Sequence, residues 1–462
     1  MLDYKRVHFV GIGGIGMSGI ARLLLSLGFE VSGSDIKRSE ITKALERQGA
    51  RIVYAHRPEN VEGAEVVVYS SAIRPDNPEL LRAKELGLRV IPRAQMLVEI
   101  MDLHRYNIAV AGAHGKTTTS SMIAAVLTHA GLKPTVAVGG KLNGFNENAW
   151  LGKRDYLVAE ADESDGSFLR MNPWLAVVTN IDAEHLDFYP DLEAVKEAFE
   201  NFFKRVVPEG ALVICLDNPS LEDLYRKGLP RRVCTYGFHP QARVRGILIE
   251  EGPAARFEVH WQGKPLGEVR LSLPGRHNVQ NALAAVAVGL ELGLPFEEIA
   301  RGLARFTGVR RRLEVKGDIG GILVLDDYAH HPTEIKATLQ ALKAAYPARR
   351  LVILFQPHRY TRTKALFEDF VSAFDLADVL MLTEIYPASE TPIPGVTGER
   401  LAAALKKRRE GETYFAETKE VLLARVLSIL EPGDVVVSMG AGDIYRVTEA
   451  LIEELGVREE VA

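Results

Sequence analysis

Short apolar runs that end on glycine or an acid, each followed by a helical stretch, recur along the chain, and no other feature constrains its fold so strongly. Residues 1–104 carry "RVHFVGIG", "EVSGSD", "EVVVYSSA" and "RVIP". The next block carries "YNIAVAGA", "YLVAEAD", "LAVVTNID" and "ALVICLD", and the last carries "GILVLDDYA", "RLVILFQPH", "DVLMLTEIYP" and "DVVVSMGAG". Strands spaced by helices indicate a parallel sheet, because a parallel neighbour is reached only through a long crossover. Between Arg243 and Pro274 the pattern becomes a strict alternation broken by polar turns, which predicts antiparallel strands added to a parallel core. Helices are expected after it, near Asn278 to Leu292 and Phe296 to Phe306. The expected fold is α/β in three domains: a Rossmann-like N-terminal domain (1–104), a central P-loop ATPase-like domain with a mostly parallel sheet (105–309), and a C-terminal Rossmann-like α/β domain (310–462).

Length and charge agree with that division. A chain of 462 residues is too long for one ordinary core. A net charge of −5 gives no global attraction to nucleic acid or anionic membrane. No segment approaches the apolar length that spans a bilayer, and the N-terminal stretch lacks the pattern of a signal peptide. Cys215 and Cys234 form no disulfide framework or metal spacing, so they are expected to stay reduced. The expectation is a cytoplasmic enzyme with neither a nucleic-acid partner nor membrane insertion.

Chemistry first enters at "AVAGAHGKTTTSS". A strand, a glycine loop (Gly112, Gly115) and a helix opening on Lys116, Thr117 and Thr118 make the context of a phosphate loop. Such a loop aims backbone N–H groups at phosphate, and the helix dipole favours negative charge. The usual pattern has a further glycine where this chain has Val110. A simple helix cap is the plain alternative for Gly-Lys-Thr when the stretch stands alone. Two acidic strand ends add weight to the phosphate reading: Glu160, Asp162, Glu163 and Asp165 after one apolar run, and Asp182, Glu184, His185 and Asp187 after another. Ligands of open parallel sheets gather at such ends, and only one or two of these eight need hold a cation. "VGIGGIGMSGIA" supplies Gly11, Gly13 and Gly16, with Asp35 about twenty residues on, which is a dinucleotide fingerprint. An NAD-linked oxidoreductase with an ATP-binding module fits that turn, and so does any nucleoside diphosphate.

In their order and spacing, "GIGGIGMSGIA", "AGAHGKTTT", "EADESDGSF", "TNIDAEHLD", "GRHNVQNALAA", "RRRLE", "DDYAHHPTE" and "QPHRYTRT" resemble the Mur ligases over essentially the whole chain. That family uses a shortened loop, G-x-x-G-K-T, in which Val110 is no defect. The resemblance implies an ADP-forming amide ligase of peptidoglycan synthesis, with ATP and Mg²⁺ as cofactors and UDP-N-acetylmuramate and L-alanine as partners. The lactyl carboxylate would be phosphorylated by ATP, and the amine of L-alanine would displace phosphate from the acyl phosphate.

By the same resemblance, Lys116, Glu160 and His185 are catalytic, and Thr117, Glu160 and His185 hold the metal. Gly112, Gly115, Thr118, His277, Asn278, Asn281, Arg312 and Asp327 join Lys116 and Thr117 around the nucleotide. His358, Arg359 and Arg362 face the incoming amino acid, where arginine suits a carboxylate. Gly16, Asp35, Ser70 and Ser71 are candidates for the UDP moiety. Several relatives hold a second Mg²⁺ with a carbamylated lysine, but here Lys196 is out of register, so no carbamylation is expected. A ligase that recycles murein tripeptide onto the same sugar nucleotide is the near alternative. A monomer or weak homodimer is expected.

Overall fold

The structure is a computed structural model that describes residues 2–70, 72–140, 148–153, 155–184 and 188–461. Its strands form three sheets. By their contacts the residues fall into two compact units, one of 1–247, 258–269 and 280–306, the other of 248–257, 270–279 and 307–462.

The first sheet runs Arg51–Val53, Glu30–Ser34, Arg6–Val10, Val66–Tyr69, Arg89–Pro92, all parallel. Chain order reverses on either side of Arg6–Val10, which makes the carboxyl end of that strand a switch point. The second sheet has the parallel core Arg232–Gly237, Ala211–Cys215, Leu175–Val178, Tyr106–Ala111, Tyr156–Glu160 and Thr135–Ala137, with Ala149–Trp150 antiparallel at its edge. Ile108, Val110, Val158 and Val177 are all fully buried, as expected of strands covered on both faces. The expected outer strands are present as Val244–Glu250, Ala255–Trp261 and Lys264–Leu271. The first of them departs from the expectation: it joins Arg232–Gly237 in parallel, through Tyr236↔Val244 and Gly237↔Arg245. The helices Arg276–Glu291 and Phe296–Ala304 follow, close to where periodicity puts them. In the second unit the third sheet runs Glu314–Ile319, Ile322–Asp327, Val435–Met439, Leu351–Phe355, Val379–Thr383, Glu412–Ala416, parallel apart from the first pair.

Helix Leu192–Arg205 shows how local sequence and packing agree. Asp191 caps it by accepting from Ala194 N, and Lys204 and Arg205 sit in its last turn, where the helix dipole favours cations. Val195, Ala198, Phe199, Phe202 and Phe203 fall on one stripe and are buried. Phe168 packs on it, with ring centroids 4.9 Å from Phe202 and 5.2 Å from Phe199. That contact anchors the short turn Ser167–Arg170, which immediately follows the acidic loop Asp162–Asp165.

One buried charge in the first sheet is held by polar groups from several elements. The Glu79 carboxylate accepts from Ser34 Oγ at 2.6 Å, from Asn60 Nδ2, and lies 3.2 Å from His56 Nδ1 and 3.8 Å from His8 Nε2. Burial works against its charge, but these groups outweigh burial and hold its pKa at about 2. Because the folded value lies below the unfolded one, the stabilisation is complete above about pH 4.5 and is lost as pH falls toward 2. Thermal melts should therefore show an acid-side loss of stability in that window. Glu79→Gln should flatten the slope there and cost about 2–3 kcal/mol at neutral pH, since it weakens a buried network. An unchanged slope would show that Glu79 does not carry it.

Candidate functional site

At the switch point of the first sheet, Gly11 turns with φ +81°, and the Gly13 N–H donates to Asp35 Oδ2 at 2.8 Å. Asp35 Oδ1 accepts from Lys37 N, so this carboxylate ties the glycine turn to the end of the next strand. Ser70 follows Val66–Tyr69 and accepts from Ala72 N at 3.3 Å. Ser71 lies outside the described residues. Gly16 opens the first helix, and a Cβ there would come within 2.2 Å of Arg93 Nη1. The third glycine thus leaves room for the guanidinium of Arg93 to lie across the helix start.

The candidate phosphate loop leaves the second sheet at Ala111. Val110 pairs with Val177 on one side and Glu160 on the other and is wholly buried, so it belongs to the strand and not to the loop. The loop proper is Gly112–Gly115, and the neighbouring strand end shapes it. Thr179 Oγ1 donates to His114 O at 2.6 Å, Asn180 Nδ2 donates to the same oxygen at 3.0 Å, and His114 N donates to Asn180 Oδ1 at 2.8 Å. A Cβ at Gly112, where φ is +128°, would stand 2.2 Å from Thr179 Oγ1. One at Gly115, with φ +81°, would stand 2.7 Å from Asn281 Oδ1. Asn281 also accepts from Thr119 Oγ1 at 3.1 Å, which fastens helix Arg276–Glu291 to helix Lys116–His129. Thr117 is partly exposed on the first turn and Thr118 is buried.

Lys116 uses all three of its ammonium donors: Gly112 O at 2.6 Å, Ala113 O at 3.2 Å and Glu163 Oε1 at 2.8 Å. Burial disfavours its charge, yet Glu163 and Asp162 more than compensate and raise its pKa. Glu160 ends its strand beside Val110 and accepts from Gly139 N at 2.7 Å. Asp162 is held below the usual carboxylate range: burial opposes this, and Lys116 and hydrogen bonds from Ser164 overcome it. Arg93 Nη2 reaches Asp162 Oδ2 at 3.6 Å, and His114 Nε2 lies 3.0 Å from Asp182 Oδ2. His185 and Asp187 lie outside the described residues.

These groups converge. A cavity of about 170 Å³ is lined by Gly16 and Arg93 from the first sheet's helices and by Lys116, Gly139, Glu160 and Asp162 from the second sheet. A glycine-opened helix start, two cations and two carboxylates around one space are suited to bringing two anionic ligands together. Lys196 is elsewhere: it bonds Glu193 and lines a surface groove with Asp191, Glu197 and Lys227. The buried thiols of Cys215 and Cys234 are each pushed up to about 12 by burial first, so neither is a nucleophile at neutral pH.

The second unit has its own polar cluster at the carboxyl ends of its strands. Arg312 stacks on Tyr328 and reaches Glu334 at 3.4 Å. His277 is lowered to about 4, by burial and then by Arg312. Asn278 Nδ2 donates to Pro274 O at 2.8 Å, so its amide is engaged with its own helix start. Asp327 is buried and accepts from Ala329 N and Leu313 N, with burial raising it to about 6. After Leu351–Phe355, the His358 ring stacks on Tyr386 at 5.6 Å and 7°, and Arg362 Nη1 approaches its Nδ1 at 3.2 Å. Arg359 adopts φ +68° where helix Tyr360–Ala365 begins. His330 lies 6.0 Å from His358 by ring centroids. Burial first, and arginines after it, push His330 to about 3 and His358 to about 4. Both rings are neutral at pH 7, so the arginines carry the positive charge here.

Sequence reasoning missed Arg93, Asn180, His114, Arg311 and Tyr386. Arg311 bonds Asp326 at 3.0 Å and the carbonyls of Gly440 and Gly442, and so pins the turn that bears Arg312. The available signal for His330 is the pair of histidines in "DDYAHHP". Arg93 had none, since only the tertiary fold lays it over Gly16.

Residues 6–105 match the Mur ligase family, catalytic domain; 110–289 the Mur ligase middle domain; and 311–442 the Mur ligase, glutamate ligase domain. A UDP-N-acetylmuramate–L-alanine ligase of Geotalea daltonii is 52% identical over 98% of this chain and 98% of its own. The solved UDP-N-acetylmuramate–alanine ligase of Thermotoga maritima is 31% identical, covers 98% of this chain and 99% of its own, and superposes with a TM-score of 0.83. A solved murein peptide ligase of Psychrobacter arcticus is 26% identical over 97% and 98%, with a TM-score of 0.71. The chain belongs to the Mur ligase family.

Proposed function

We propose that this chain is an ADP-forming ligase that joins L-alanine to the lactyl carboxylate of UDP-N-acetylmuramate at the expense of ATP. The observation that carries the reading is the shared cavity. The helix that follows the glycine turn suited to a sugar diphosphate, through Gly16, and the helix that follows the loop suited to a triphosphate, through Lys116, border one space, with Arg93 and Glu160 also in its wall. The identity of 52% to a ligase of that name supports the choice of substrates.

In this reading residues 1–104 bind the sugar nucleotide through Gly16, Asp35, Ser70 and Ser71. Residues 105–309 bind ATP through Gly112, Gly115, Lys116, Thr117, Thr118 and Asn281. Residues 310–462 bind the amino acid through His358, Arg359 and Arg362, with Arg312, Asp327 and the neighbouring His277 and Asn278 on the nucleotide side. Mg²⁺ fits the oxygen-rich donor set of Thr117 and Glu160, with His185 as a third donor, and would supply neutralisation of phosphate charge. The loop N–H groups and Lys116 orient the triphosphate, so its terminal phosphoryl group passes to the lactyl carboxylate, releasing ADP. The alanine amine then attacks the acyl carbon, and phosphate leaves with the carbonyl restored. The detour is needed because a carboxylate is a poor electrophile with no adequate leaving group. Arg359 and Arg362 suit the carboxylate of the amino acid, and they leave the amine to react.

The deciding assay is phosphate release with ATP, Mg²⁺ and UDP-N-acetylmuramate, comparing L-alanine, murein tripeptide and no acceptor. Release that depends on L-alanine is expected; release with tripeptide alone would make the chain a murein peptide ligase, as its 26%-identical structural relative is named. Lys116→Met should lower kcat/KM for ATP by roughly 10²–10³-fold, the usual cost of one charge-stabilising donor. Gly112→Ala should abolish nucleotide binding while the chain stays folded, because a side chain at φ +128° collides with Thr179. A Gly112→Ala chain that still binds ATP with native affinity would show that the loop geometry is not what holds phosphate.

A further inference from the structure

The phosphate-loop lysine is already paired with a carboxylate that neither the loop motif nor the proposed metal set uses. Glu163 Oε1 accepts from Lys116 Nζ at 2.8 Å, and the Glu163 side chain is only 3% exposed. Tyr189 OH donates to Glu163 O at 2.8 Å and fixes the backbone at that residue. The other two bonds of Lys116 go to carbonyls three and four residues back in its own loop. Those two travel with the loop. An ammonium has three donors, so Lys116 can turn to a phosphate oxygen most simply by giving up Glu163.

That exchange has an electrostatic consequence. A buried carboxylate would lose an adjacent cation and gain an adjacent polyanion in the same event, which is strongly unfavourable at low exposure. Arg93 is the nearby cation, but its guanidinium is engaged with Asp162 at 3.6 Å. A second cation arriving with the phosphate removes the penalty.

Building on the ATP reading above, we propose that Glu163 is a displaceable counterion for Lys116, and that it makes nucleotide binding depend on a divalent cation. Phosphate takes Lys116 only when a cation delivered with it neutralises Glu163. The carboxylate therefore positions the lysine before binding and disfavours metal-free ATP in the same site. Glu163 acts here through Lys116 and the cation, so it is a positioning residue.

Calorimetric titration of ATP into the full chain, in Mg²⁺ and in EDTA, tests this without any turnover. Glu163→Gln should tighten binding in EDTA by about 30-fold or more, because the uncompensated charge is gone, and change binding in Mg²⁺ by less than about 5-fold. Glu163→Asp keeps the charge and should retain the native preference for Mg²⁺ within about 3-fold. Tyr189→Phe, which loosens the same backbone without touching the charge, should also leave that preference unchanged. If Glu163→Gln does not fold by thermal melt, Glu163→Ser carries the same expectation. Unchanged or weaker EDTA binding in the uncharged variant would overturn the proposal while the functional reading stands. A native chain that binds no ATP even with Mg²⁺ would instead overturn the functional reading, and this inference with it.

Discussion

The carbonyl of His114 accepts hydrogen bonds from both Thr179 Oγ1 and Asn180 Nδ2, and much of the first unit's site follows from that clamp. It folds a four-residue loop against the next strand end so closely that Gly112 has no room for a Cβ. With the loop fixed there, the helix must begin at Lys116, and the ammonium folds back over the loop's own carbonyls toward Glu163. The clamp works because Tyr106–Ala111 and Leu175–Val178 are adjacent parallel strands, which end at the same level. Parallel pairing is thus the source of the site's geometry as well as of the core.

The same rule operates in the second unit with different chemistry. Ile322–Asp327, Val435–Met439 and Leu351–Phe355 are parallel neighbours, and each strand end adds polar groups to one cluster. Arg311 ties two of those ends together through Asp326 and the carbonyls of Gly440 and Gly442. Buried imidazoles that stay neutral leave the guanidinium groups as the cations of the cluster. In the proposed reading those guanidinium groups suit the carboxylate of the amino acid.

Much was legible in the sequence because parallel α/β folds write themselves as short apolar runs. The strand cores, the helices after Pro274 and the two glycine turns all came from periodicity and spacing. The parallel pairing of Val244–Glu250 did not, because alternation reports that one face is wet but not which way the neighbouring strand runs. Asp35 illustrates a different limit. Its spacing from the glycines completed a dinucleotide fingerprint and made it a candidate for the UDP moiety, and the structure shows its carboxylate engaged by Gly13 and Lys37 backbone N–H groups. Spacing locates a side chain near a turn, whereas its partners depend on rotamer and approach.

By itself the sequence determined the sheet type, the place of the glycine loop before Lys116, and the family through the order of its motifs. Local chemistry suffices for these, since glycine permits positive φ and apolar runs demand burial. Only the tertiary structure decided that Gly16 makes way for Arg93 and that Lys116 is paired with Glu163. Each of these last facts joins residues from separate elements, up to 77 positions apart for Gly16 and Arg93. Such pairs are set by how strands and helices pack, and no local pattern encodes that packing.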